Sequence, residues 1–245
     1  MTQQELKISD WLALMIGNSR LHWAHFQGQT IKETRDTPHY PITSSPPYPY
    51  PLYIASVVPS QTDIWKTYPH VTLFTLEQIP LRGVYPTMGI DRALAVWGMG
   101  CTHGFPCLVI DAGTALTFTG VNRDRVLIGG AILPGLKLQL QSLSQKTAAL
   151  PDISLSETLP PRWADNTPEA IKSGVIYSIL AGISTFIQDW LTRFPDSQIG
   201  LTGGDSSQIF CYLQAQYPEI TERIIVAPNL IFWGMRSALD RSPTS

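Results

Sequence analysis

The chain has 245 residues, enough for one large domain or two small ones with cores of their own. Its composition, 44% hydrophobic and 15% charged, is that of a globular protein rather than a disordered or fibrous one. A formal net charge of −2 with no run of like charge argues against a nucleic-acid binder working through a basic surface.

Met1 to Asp10 is polar and shows no signal-peptide pattern, and no apolar run reads as long enough to span a bilayer, so the expected address is the cytoplasm, with no membrane partner. Trp11 to Ile16, Gly17-Asn18-Ser19 and Arg20 to Phe26 read as strand, tight turn, strand. Asp36 to Pro51 carries six of the 20 prolines and reads as an irregular loop. Leu52 to Val57 reads as a buried strand, Gln61 to Thr67 as a short helix and Val71 to Leu76 as a strand. Gly89 to Met99 has helical spacing, with Ile90, Leu94 and Trp97 on one face.

Cys107 to Ile110, Asp111-Ala112-Gly113-Thr114 and Ala115 to Val121 repeat the strand, turn, strand pattern. Leu14 to Ser19 lies over Ile110 to Ala115 type for type, with Met15 opposite Asp111. Val126 to Leu133 is a further strand, followed by Pro134-Gly135 and a helix from Leu136 to Gln145. Ala148 to Trp163, rich in Pro and Ser, reads as loop. Asn166-Thr167-Pro168-Glu169 combines a capping side chain, an early proline and a first-turn acid, so it opens a helix that runs to Arg193 and eases at Gly182. Ile199 to Thr202 is a strand ending in Gly203-Gly204-Asp205. A helix from Ser206 to Gln216, a strand from Ile224 to Val226 and a helix from Leu230 to Leu239 complete the chain. Strands alternating with helices give an α/β class, with a domain break near Cys101 to Phe105.

Cys101, Cys107 and Cys211 form no CxxC pair and read as small buried apolar residues of a reducing compartment. The five histidines show no metal-ligand spacing. Gly17-Asn18-Ser19, Gly113-Thr114 and Gly203-Gly204-Asp205 each end a strand with glycine beside a small polar residue. Such turns let backbone N–H groups converge on an anion, and three of them on one chain point to a polyphosphate. Neither a GxxxxGK[ST] loop nor a GxGxxG after a strand is present, so a nucleotide would be held by another design.

Several stretches resemble type III pantothenate kinases of the actin, hexokinase and Hsp70 superfamily: Gly89-Ile90-Asp91-Arg92 after Tyr85-Pro86, Asp111-Ala112-Gly113-Thr114-Ala115, Gly129 to Gly135, Asn166 to Gly174, Thr202 to Asp205 and Pro228-Asn229-Leu230, in that family's order. The resemblance implies two ribonuclease-H-like (actin-like ATPase) lobes with an interlobe cleft, residues 1–103 and 104–245, the second lobe carrying a dimerisation helix. It implies ATP-dependent phosphorylation of pantothenate to 4′-phosphopantothenate, the opening step of coenzyme A synthesis. By the same resemblance Asp91 is the catalytic base; Tyr85, Gly89, Ile90, Asp91, Arg92 and Thr167 bind pantothenate; Met15, Ile16, Gly17, Asn18, Ser19, Arg20, Leu21, His22 and Thr114 face ATP. Asp111 holds a monovalent cation (K⁺ or NH₄⁺), Mg²⁺ accompanies ATP, and Thr167 serves the neighbouring subunit of a homodimer with shared active sites. Each role has a bland counterpart: Asp91 as a helix N-terminal acid, Arg92 as a surface ion pair, Tyr85 as packing, Asp111 as a turn cap, Thr167 and Asp205 as helix caps. The chain departs from the family at Met15, where the first motif has aspartate, and at Ser19, where it has threonine. A thioether is a poor ligand for Mg²⁺. Two alternatives follow: a non-catalytic accessory relative, favoured by Met15, and a kinase for another small alcohol. Retention of Asp91, Arg92, Asp111 and Thr167 argues against the first.

Overall fold

The computed structural model describes residues 9–39, 50–66, 68–146 and 153–240. The polar N-terminal segment, most of the proline-rich loop and the start of the Ala148–Trp163 loop fall outside them. The chain divides into two units, Met1–Thr102 with Asn229–Ser245, and His103–Pro228. This corrects the expected 1–103 and 104–245 division: the last helix belongs to the first unit.

In the first unit, β1 (Asp10–Ile16), β2 (Leu21–Gln27) and β3 (Thr30–Thr37) form an antiparallel meander, and β4 (Leu52–Ser56) and β5 (Val71–Leu73) add in parallel, in the order β3-β2-β1-β4-β5. A two-residue connection, with Gly28 at φ 58, joins β2 to β3. β3 is absent from the sequence reading, which placed Asp36 in the proline loop. β1 is the central strand and is buried on both faces. Leu12, Leu14 and Ile16 pack with Leu21, Trp23, Ile54 and Trp65 of α1 (Pro59–Trp65). On the opposite face Trp11 stacks on Phe26, whose ring meets Trp233 of α7 (Leu230–Leu239). The expected strand Val71 to Leu76 ends at Leu73, and a 3₁₀ turn (Leu76–Gln78) follows. α2 (Ile90–His103) is buried from Arg92 to Gly100.

The second unit repeats this plan. β6 (Cys107–Ala112), β7 (Ala115–Val121) and β8 (Leu127–Pro134) are antiparallel, and β9 (Gln198–Thr202) and β10 (Ile224–Val226) add in parallel. The order β10-β9-β6-β7-β8 is that of the first sheet, strand for strand. α3 (Leu136–Lys146), α4 (Thr167–Arg193), α5 (Ser206–Gln216) and the short α6 (Pro218–Thr221) cross over between the parallel strands. α4 runs 27 residues without a break at Gly182 and is long and apolar enough to cross a bilayer, which corrects the reading that no run reaches that length. Its apolar residues instead form one stripe, Ile176, Ile179, Leu180, Ile183, Ile187 and Trp190, buried in the sheet's core.

Of the cysteines, Cys107 is buried as expected, whereas Cys211 is exposed and Cys101 half-buried; all three are free thiols.

Candidate active site

Asp91 is the second residue of α2, where backbone N–H groups have no helical partner. Its Oδ1 accepts from the Arg92 amide at 2.8 Å, an arrangement that the helix dipole favours. Burial nevertheless pushes its carboxyl above the ordinary 3.8, against the lowering effects of that hydrogen bond and of the Arg92 charge. A Cβ on Gly89 would lie 2.4 Å from Asp91 Oδ1, so a side chain there would turn this carboxylate aside. Arg92 is itself buried, at 7% exposure, and its guanidinium donates to the Tyr85 hydroxyl at 2.9 Å. Tyr85 is exposed, so this bond carries the charge of a buried arginine toward a surface ring. The Tyr85 to Arg92 set is thus brought together in one place, and neither the surface ion pair nor the packed tyrosine describes it.

The turn after β1 is closed by Gly17 N–H donating to Arg20 O at 3.0 Å, and Asn18, Ser19 and Arg20 are exposed. The neighbouring side chains of Met15, Ile16 and Leu21 are in the core, at 1%, 0% and 0% exposure. They leave the accessible part of the expected nucleotide segment to Gly17–Arg20 and His22. Met15 pairs across the sheet with His22, which pairs in turn with Asp36, so the three form one row over β1, β2 and β3.

Asp111 occupies in β6 the place that Met15 occupies in β1, one residue before the strand ends. Gly113 and Gly203 close around it, and Gly135 packs on the Gly113–Thr114 turn. A Cβ on Gly203, at φ 94, would lie 2.4 Å from Asp111 Oδ1 and 2.5 Å from the Ala112 carbonyl. A Cβ on Gly135 would lie 2.1 Å from the Gly113 carbonyl oxygen, and Gly135 N–H donates to Thr114 O at 2.9 Å. Thr114 is exposed at the rim. The site therefore presents one carboxylate among backbone carbonyls, a donor set suited to a hard cation.

Asp205, which sequence reasoning left off the site, stands at the N-cap of α5, but its side chain makes no capping hydrogen bond. Its N–H donates to Ala112 O at 2.8 Å, and its buried carboxylate pairs with Lys137 Nζ at 2.5 Å. The Gly-Gly-Asp sequence could have signalled this acid; nothing in the sequence singles out Lys137. Thr167 is exposed at the start of α4, and the cap is Asn166, whose side chain accepts from Glu169 N–H at 3.1 Å. The cap reading of Thr167 therefore gives way to a surface hydroxyl. Among the described residues no group of three or more His, Cys, Asp or Glu side chains is gathered to hold a metal ion.

The family model of type III pantothenate kinase matches residues 11–189. A type III pantothenate kinase of Nostoc sp. is 50% identical, with 94% of each chain covered. One of Synechocystis sp. is 47% identical over 94% of this chain and 90% of its own. Among solved structures, a Campylobacter jejuni protein described as a conserved Baf family transcriptional activator superposes with a TM-score of 0.67 at 20% identity, covering 95% of this chain and 98% of that one. MreB5 of Spiroplasma citri bound to ADP gives 0.50 at 9% identity, covering 94% and 96%. At such identities the structures speak for the fold alone, and that fold is the actin-like ATPase fold with its duplicated α/β unit. With the family model over most of the chain and relatives at half identity end to end, the chain belongs to the type III pantothenate kinase family.

Proposed function

We propose that the chain moves the γ-phosphoryl group of ATP to the primary hydroxyl of pantothenate, with Asp91 as the general base. The observation that carries this is the Gly89–Arg92 corner, where a desolvated carboxylate with a raised pKa sits on a helix N-terminus beside a buried arginine. An Asp91 carboxylate made more basic by burial takes the hydroxyl proton as the alcohol oxygen attacks phosphorus and the bond to the β-phosphate oxygen breaks, leaving 4′-phosphopantothenate and ADP. Arg92, steadied by Tyr85, binds the acceptor's carboxylate through charge-assisted hydrogen bonds.

The nucleotide phosphates lie on the exposed Gly17–Arg20 turn. Mg²⁺ would accompany the nucleotide rather than sit in a protein cage, and would supply positive charge against the phosphates. Asp111 would hold a monovalent cation, K⁺ or NH₄⁺, which would supply positive charge. The surface hydroxyl of Thr167 serves the pantothenate site of a second copy, so the working form is a homodimer. An ATP-dependent step at the head of coenzyme A synthesis fits a cytoplasmic address.

A coupled assay following ADP release, with and without pantothenate and with and without K⁺, tests the reading. Turnover that requires pantothenate and rises with K⁺ is expected. ATP binding without pantothenate-dependent turnover would replace the kinase with a regulatory relative.

A further inference from the structure

The row Met15–His22–Asp36 has an order of chemistry that the nucleotide segment alone does not explain. Met15, standing where the family's aspartate would be, is a buried thioether with no charge or N–H to offer. Its cross-strand partner His22 is half-exposed, and His22 Nδ1 lies 2.8 Å from Asp36 Oδ1, the next position along the row. This bond fixes which ring nitrogen points away from the carboxylate. The other nitrogen, Nε2, lies 3.5 Å from where a Cβ on Gly17 would stand, so it borders the first glycine of the turn. A second imidazole braces the same residue, His39 Nε2 lying 2.9 Å from the Gly17 carbonyl.

We infer that Asp36 is a positioning residue for the nucleotide: through Nδ1 of His22 it holds that imidazole with Nε2 at the Gly17–Arg20 turn, where it donates to a phosphate oxygen. The inference rests on the proposed binding of ATP at this turn. Asp36 takes the Nδ1 side of the ring and the bound phosphate the Nε2 side, so the imidazole bridges two anions. The row thus offers the nucleotide a phosphate contact, through His22, where Met15 offers no polar group.

The test measures KM for ATP and for pantothenate, kcat, and the Kd of ADP by calorimetry in the full-length protein. His22→Ala is expected to raise KM for ATP and Kd for ADP about tenfold, with KM for pantothenate unchanged. Asp36→Asn, which keeps shape and removes charge, is expected to raise both nucleotide constants three- to tenfold, and Asp36→Glu to restore them in part. In a His22→Ala background Asp36→Asn should add nothing further, which a merely structural carboxylate would not do. Unchanged nucleotide constants in Asp36→Asn, an equal rise in KM for pantothenate, or an undiminished Asp36 effect in the His22→Ala background would overturn the inference. Should the wild-type protein bind ADP without phosphorylating pantothenate, the proposed function fails, while the ADP constants still decide the fate of the His22–Asp36 pair.

Discussion

At Asp91 the protein keeps a carboxylate where burial disfavours its charge. A group whose folded pKa lies above its unfolded value binds more protons in the folded state, so stability is highest below the unfolded pKa and is lost as pH rises through the folded one. At neutral pH the ionised Asp91 therefore weakens the fold that presents it. Asp91→Asn is expected to lower kcat by 10²–10⁴-fold, the usual worth of a general base, while raising the melting temperature by a few degrees, about 1 kcal/mol. Calorimetry beside the coupled assay checks both; a variant that loses activity and melts lower would make Asp91 a structural acid. The same shift sets the acid limb of kcat/KM, which should fall as Asp91 protonates, with a midpoint above the ordinary 3.8. A profile flat to pH 4 would remove the residue from the proton transfer. Much of this corner was legible beforehand, since the Gly-x-Asp-Arg spacing named Asp91 and Arg92. Met15 was legible as a departure but not as a core side chain, because a motif tells which residues adjoin a ligand in sequence and says nothing of which face of the strand each occupies. Asp36 was hidden because it lies in β3, a strand that the sequence reading took in part for loop.

Elements were legible in proportion to their burial. β1 and β6 are long apolar runs ending in glycine turns and announce themselves. β3, with exposed or half-exposed residues throughout Thr30–Thr37, is an edge strand whose alternation carries no hydrophobic period to find. Gly203 makes a turn, as its sequence suggests, whereas the helical Gly98 and Gly234 have a packing role that sequence alone does not show. Those two let α2 and α7 cross with their backbones in contact: a Cβ on Gly98 would lie 2.0 Å from the Leu230 carbonyl oxygen, and one on Gly234 2.1 Å from that of Leu94. Backbone atoms cannot rotate away, so Gly98→Ala must part the helices and is expected to cost about 3 kcal/mol. Gly182 of α4 has nothing within 4 Å of its missing Cβ. Gly182→Ala should therefore stabilise by roughly 0.5–1 kcal/mol, the ordinary helix-propensity gain. Denaturant melts of the two variants should move in opposite directions, and a matched response would show that the α2–α7 crossing is looser than its geometry.

The duplicated sheet order explains how one chain presents a turn after β1 and a turn after β6, each with a critical position one residue before the strand's end. The repeat was visible in the sequence as two matched strand–turn–strand stretches. The return of α7 to the first unit was not, because adjacency in sequence favours placing the last helix with the strand before it, and only packing reveals otherwise. α7 buries Leu230, Phe232, Met235 and Ala238, and its Trp233 meets Phe26. At about 1.5–3 kcal/mol for each large side chain, this burial contributes on the order of 5 kcal/mol to a unit whose whole stability is of similar size. A fragment ending at Thr102 is therefore expected to remain unfolded alone, with α2 and the Trp11–Phe26 face uncovered, and to fold when the 229–245 peptide is supplied or fused to it. The fragment His103–Pro228 contains its sheet and the four helices among its described residues and should melt cooperatively alone. Circular dichroism and thermal melts of the three samples decide the matter: a cooperative, full-length-like transition in residues 1–102 alone would show that α7 is an accessory to the first unit rather than part of its core.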